Sequence, residues 1–260
     1  MKVLILPSKE AAILRAADIV AAQVRARSDC TLGLATGGTM LPLYAELAKR
    51  HQAGEFSMTG VTSFNLDEYV GLAADHPGSY HRYMAEALFD LTDMPIMRAH
   101  LPRGDAIDPK AEAMDYEARI AKAGGIDLQL LGIGQNGHIG FNEPTSSLGS
   151  RTRIKTLTDS TLEANRRYFD TDEEVPKYAI TMGIATILEA RACLLLALGE
   201  SKAEAAAAMI EGPVSAMCPA SALQMHAQTT VILDEAAASR LKLTDYYHHV
   251  HPGGRESDYS

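Results

Sequence analysis

Residues 31–50 read TLGLATGGTMLPLYAELAKR, an apolar run of β type that stops on two adjacent glycines and passes at once into helical periodicity. A chain makes that junction where its backbone must approach a ligand, because Gly37 and Gly38 carry no Cβ to block the approach. After them Met40, Tyr44 and Leu47 recur at helical spacing, Pro42 lies in the tolerated first turn, and Thr39 stands where an N-cap is expected. The reading is strand, glycine turn, helix N-terminus. Free N–H groups and the positive end of the helix dipole make such a terminus an anion site, with phosphate its usual occupant. A Gly-Gly turn between strand and helix is also ordinary loop chemistry, so this pattern alone leaves the ligand open.

The same alternation extends outward in both directions. KVLILP (2–7), VTSFNL (61–66), DLQLLGIG (127–134), YAITM (178–182) and ACLLLAL (192–198) read as strands, with a weaker one at TVILD (230–234). Several are almost continuously apolar, as strands covered on both faces are. Between them lie helical patterns, first AAILRAADIVAAQVRAR (11–27) with Ile13, Ala17, Val20 and Val24 on one face, then roughly 40–50, 79–90, 109–123, 158–169, 183–190 and 201–211. Ser160 with Glu163 and Ser201 with Glu204 have capping-box spacing. The expectation is a single-domain α/β protein with a mainly parallel open sheet and helices on both faces, Rossmann-like, whose ligands gather beyond the C-terminal strand ends. The domain is expected over 1–245, with 246–260 as a C-terminal tail.

Composition narrows the function. The chain has 260 residues, 24 basic and 33 acidic, a net charge of −9, and no long run of like charge. Duplex nucleic acid is therefore not expected as a partner. Cys30, Cys193 and Cys218 are scattered and form no CxxC, so neither a disulfide framework nor a metal site is expected, and a reducing cytoplasm suits them. MKVLILPSKEAA reads as a first strand, with no signal peptide behind it. No apolar run approaches the roughly 20 residues that span a bilayer.

Three further segments carry chemistry. SFNLDEYVGL (63–72) sets Asp67 and Glu68 directly after an apolar strand, either as a solvated turn or as paired carboxylates of a site. LGIGQNGHIGFNEP (131–144) surrounds His138 with Gly132, Gly134, Gly137 and Gly140 and closes on Glu143. Glycines bring no packing partners, so His138 is placed to act on a ligand, and Glu143 can orient its ring and favour the charged form. Positive charge forms the third group: Arg151, Arg153 and Lys155 alternate in SRTRIKT (150–156), Arg166 and Arg167 lie on a helix, and Lys202 opens a helix after a strand. A cation at a helix N-terminus opposes the dipole, which points to an anion sharing the space. Taken singly, each of these cations also fits a solvated face.

GGT after a strand, NLDEYVGL, GHIGFNEP, SRTRIKT, VPKYAIT and the LGxxK turn, in this order and spacing, resemble the glucosamine-6-phosphate deaminase (isomerase) family over about residues 1–245. The 6-phosphogluconolactonases share the fold and the GGT and GH turns, but NLDEYVGL and GFNEP are not expected in them. The resemblance implies that Asp67 moves the proton between C2 and C1, and that Asn136, His138 and Glu143 serve pyranose opening. It implies that Gly37, Gly38, Thr39, Arg167 and Lys202 hold the substrate phosphate, with no cofactor and no metal. It also implies a possible N-acetylglucosamine 6-phosphate effector site at Ser146, Arg153, Lys155 and Thr156 with a C-terminal tyrosine, for which Tyr246 and Tyr247 are on offer, and a homo-oligomer. Asn136 stands where some members have aspartate, which gives His138 a dipole in place of a charge. His248, His249 and His251 read as part of a polar tail rather than a metal site. Alternatives are a deaminase for another amino-sugar phosphate such as galactosamine 6-phosphate, or a non-catalytic sugar-phosphate sensor; the sensor reading predicts a basic DNA-binding segment that the sequence lacks.

Overall fold

A computed structural model describes residues 1–166, 169 and 174–255. Seven strands form a wholly parallel sheet: β1 (Lys2–Leu6), β2 (Thr31–Leu34), β3 (Thr62–Asn65), β5 (Ala99–His100), β6 (Leu128–Leu131), β9 (Ala192–Ala197) and β10 (Thr229–Asp234). Their order across the sheet is β1-β10-β9-β6-β2-β3-β5. β4 (Asp67–Tyr69), β7 (Arg153–Thr156) and β8 (Tyr178–Thr181) make a small antiparallel sheet in the order β4-β8-β7. The longer helices are α1 (Lys9–Ala26), α2 (Met40–Gln52), α3 (Tyr80–Ala87) and α4 (Pro109–Lys122), followed by α5 (Asp159–Asn165), α6 (Ile184–Leu188), α7 (Ala203–Ile210), α8 (Glu235–Ala238) and α9 (Thr244–Val250).

Strand order dictates where the helices go. From β1 through β3 the chain steps one way across the sheet, and from β6 through β10 it steps the other way. Right-handed crossovers therefore put α1 and α2 on one face and α4 and α7 on the opposite face. α1 lies close to its face because it presents Ala12, Ala16, Ala17 and Ala21 with Val20 and Val24. On the other face Phe64 of β3 meets Tyr116 of α4 edge-on at 5.7 Å. The direction reverses between β2 and β6, so the crevice beyond Leu34 and Leu131 is the topological switch point, where open α/β sheets bind ligands.

Three local expectations are corrected. Thr39 makes no capping bond: at φ −69°, ψ −29° it is already helical, whereas a cap needs extended backbone to reach back. At α5 the cap is Thr158, whose hydroxyl accepts from Thr161 N, and Ser160 falls inside the first turn. Ser201 lies within a 3-10 turn, Glu200–Lys202, and caps nothing.

The C-terminal stretch also differs from a tail. Residues 244–250 form α9, Tyr247 donates its hydroxyl to Glu211 at 3.2 Å, and Glu211 also accepts from Lys242 N and Leu243 N. His251 is buried, and Gly254 packs so tightly on Leu6 that a Cβ there would lie 2.6 Å from its side chain. His248 and His249 are exposed; 256–260 lie outside the described residues. Among the described residues no helix is long and apolar enough to cross a membrane.

Candidate active site

The loops at the C-terminal ends of β2, β3, β6 and β9 carry the expected segments. After β2, Gly37 adopts φ +108°, a conformation side chains rarely take, and its carbonyl accepts from Met40 N at 3.0 Å and from the Tyr83 hydroxyl at 2.8 Å. This fixes the turn at the N-terminus of α2, where the N–H groups that follow Met40 in the first turn have no partner within the helix. After β9 the 3-10 turn Glu200–Lys202 brings Lys202 in half-buried, and burial lowers its pKa. Among the described residues it has no carboxylate partner. Arg167 lies outside the described residues.

Asp67 opens β4, with only Leu66 between it and the end of β3. It is buried, and burial followed by the charge of Glu68 raises its pKa to about 8, opposed by a hydrogen bond from Thr181. The solvated-turn reading of Asp67 and Glu68 is excluded, since both side chains are buried. Glu68 is fully engaged: it accepts from Tyr69 N, Tyr80 N and His81 N at 2.8–3.0 Å and pairs with His81 Nδ1 at 2.8 Å. Its work is to anchor the N-terminus of α3. Tyr80 stands over this region with its hydroxyl 3.3 Å from that of Tyr69, and burial, Tyr69 and Asp67 all push its pKa well up.

His138 follows β6 with its Nδ1 3.4 Å from Glu143 Oε2. Gly134 makes room for the ring, since a Cβ at that position would lie 2.3–2.5 Å from three imidazole atoms. Glu143 is buried, which alone would raise its pKa, but His138, Thr161 and Asn136 bring it down to about 2. Among the described residues Asn136 makes no hydrogen bond to the imidazole. Its Nδ2 donates to Glu143 Oε2 at 2.7 Å and its Oδ1 accepts from His138 N at 3.2 Å. The amide therefore supports Glu143 directly and the histidine only through its backbone. An aspartate in the same place would face Glu143 with like charge. The other oxygen of Glu143 takes the Thr161 hydroxyl and, at 3.3 Å, the Thr158 hydroxyl, both from the start of α5.

Just beyond, Thr145 has φ +75°, the one non-glycine among the described residues with positive φ, and is held by its N–H to Ala216 O at 2.8 Å. Of the expected effector residues, Ser146 is buried with its hydroxyl unpaired among the described residues. Arg153 is half-buried and donates to Asn142 Oδ1 at 2.8 Å, and burial lowers its pKa. Lys155 shares its strand face, and Thr156 is exposed. Tyr247 is already engaged with Glu211, and Tyr246 is exposed.

Thr158, Thr161, Thr181 and Tyr80 are absent from the sequence reading. Thr158 alone carried a usable signal, an N-cap residue type directly before a helical pattern; the others come from elements that only folding brings near.

A buried carboxyl tuned towards neutrality, a histidine–carboxylate pair and a glycine turn opening a helix, all at the switch point of a parallel sheet, make this the site of an α/β enzyme. The chain belongs to the family described as glucosamine-6-phosphate isomerases/6-phosphogluconolactonase, which matches residues 8–232. It is 52% identical over 250 residues to a glucosamine-6-phosphate deaminase of Shewanella loihica, covering 96% of this chain and 93% of that one. A protein of the same name from Hahella chejuensis is 55% identical over 247 residues, covering 95% and 94%. A solved structure of a monomeric glucosamine-6-phosphate deaminase superposes with a TM-score of 0.90 at 47% identity, covering 92% of this chain and 100% of that one. A Trypanosoma cruzi 6-phosphogluconolactonase, 21% identical with a TM-score of 0.73 over 93% and 97%, shares the fold.

Proposed function

We infer that this chain isomerises and deaminates glucosamine 6-phosphate, giving fructose 6-phosphate and ammonia. The observation that carries the reading is Asp67, a buried carboxyl raised to about 8 beside the His138–Glu143 pair. Lactone hydrolysis, the other chemistry of the family, needs no base for a C–H proton; an aldose–ketose shift does. The relatives named glucosamine-6-phosphate deaminase support the same choice.

In this reading the 6-phosphate rests on the backbone of Gly37, Gly38 and Thr39, with Lys202 and Arg167 supplying charge. Binding there is remote from the reacting carbons and fixes the sugar over them. His138, oriented by Glu143, takes the O1 proton and delivers one to O5, so that C1 becomes an aldehyde. Asp67 then removes the C2 proton and returns it to C1. The substrate's own ammonium at C2 favours the ionised carboxylate when it arrives. Water adds at C2 and ammonia leaves.

A cytoplasmic location, N-acetylglucosamine 6-phosphate as an effector at Ser146, Arg153, Lys155 and Thr156, and self-association belong to the same proposal. For the last, a relative described as monomeric at 47% identity weighs on the other side, and light scattering decides between 28.0 kDa and a multiple. The activity test is ammonia release from glucosamine 6-phosphate, with and without EDTA and with galactosamine 6-phosphate as control. Release that survives chelation and prefers the gluco epimer is expected. Release only from the galacto epimer moves the reading to that sugar, and none from either removes it.

A further inference from the structure

We propose that Thr181 is the positioning residue of the Asp67 base, its hydroxyl tying that carboxylate to the turn that carries His138 and Glu143. The proposal rests on the reading of Asp67 as the base. Thr181 is fully buried in the middle strand of the small sheet and lies directly opposite Asp67 in the β4–β8 register. Its Oγ1 accepts the Phe141 N–H at 3.1 Å. A hydroxyl has one proton, and with a backbone donor already on its oxygen that proton is free to go outward. The bond it donates, to Met182 O at 3.5 Å, is too long to be a good one, and the Asp67 carboxylate stands directly across the strand pair as the alternative acceptor. Gly140, at φ +55°, leaves the corner open: a Cβ there would lie 3.0 Å from Thr181 Oγ1 and 3.3 Å from Asp67 Oδ2. The two groups therefore converge under the same turn.

The direction of that bond matters. A donated hydroxyl proton favours the carboxylate over the acid. The other titratable groups acting on Asp67 are Glu68 of its own strand, Tyr80 of α3 and Tyr116 of α4, and none of these supplies positive charge. Among the described groups acting on Asp67, Thr181 is the one that favours its carboxylate, offsetting part of what burial and Glu68 impose.

The test reads Asp67 itself, by carboxyl ¹³C titration of aspartate-labelled protein, with Asp67→Asn for assignment. Thr181→Val keeps the shape and removes the donor, and should raise the Asp67 midpoint by about one to two pH units. The acid limb of kcat/KM should move with it, lowering kcat/KM at pH 7 by about ten-fold or more, and Thr181→Ser should restore both. An unmoved midpoint in folded Thr181→Val, or a loss of rate that serine does not rescue, overturns the proposal. If the valine variant does not fold, Thr181→Cys, a weaker donor, must still raise the midpoint. Should the wild-type protein release no ammonia, the proposed activity falls while the titration still decides the hydrogen bond.

Discussion

Asp67 and Glu68 are neighbours in the chain, both buried, and only one of them has its lone pairs fully spoken for. Glu68 takes four donors from the start of α3 and its neighbour, whereas the one side-chain donor acting on Asp67 is the Thr181 hydroxyl. Replacing Asp67 by Asn should slow ammonia release by about 10²–10⁴-fold, the usual scale of general-base loss, while substrate binding survives. The same change has a signature in stability. A carboxyl raised from 3.8 to about 8 binds more protons folded than unfolded across that window, so the wild-type protein loses stability as pH climbs through it. Asparagine does not titrate. The melting temperature of Asp67→Asn should therefore gain on wild type between pH 5 and pH 9, by at least about 3 °C, measured by thermal denaturation at both pH values. Glu143 has the opposite sign: held down to about 2, it stabilises above its unfolded value and that contribution is lost as pH falls towards 2. Gly134→Ala tests the histidine by shape alone. Gly134 lacks positive φ, so alanine suits the backbone, but its methyl group would occupy the ring's place and should cut activity at least about ten-fold, with unchanged circular dichroism.

At the scale of elements, every strand of the large sheet except β5 was readable, because continuous apolar runs bounded by glycine, proline and helical pattern have few other solutions. β4 was not: three residues, two of them acidic, carry no strand signal, and their pairing with β8 depends on a partner far along the chain. The same distance hid Thr181 from the sequence, while Asp67, His138 and Glu143 stood out because each closes a strand or sits in a glycine-rich loop. The end of the chain was misread for a different reason. YYHHVHPGG looks polar and frayed, yet Glu211 gathers Lys242 N, Leu243 N and the Tyr247 hydroxyl, and Gly254 lets the backbone settle on Leu6. Deleting 246–260 should accordingly cost about 2–3 kcal/mol in urea denaturation, where a loose tail would cost nothing.

At the scale of the whole molecule, two sheets meet at Leu66. Its N–H bonds Leu34 O at 3.0 Å, continuing the ladder of the large sheet, and its carbonyl accepts Met182 N at 2.7 Å, beginning that of the small one. One residue is thus a member of both ladders, and the base stands on the next. Side chains alternate across a strand, so a shift of one position exchanges the two faces. A single alanine inserted after Leu66 should leave the circular dichroism of the large sheet in place yet bring Glu68 towards the crevice and send Asp67 to the helix it cannot anchor; activity should fall at least as far as in Asp67→Asn. Elsewhere homologous chains can drift in length through their loops. Here the spacing acts as a reading frame, and an inserted or deleted residue is a frameshift in three dimensions.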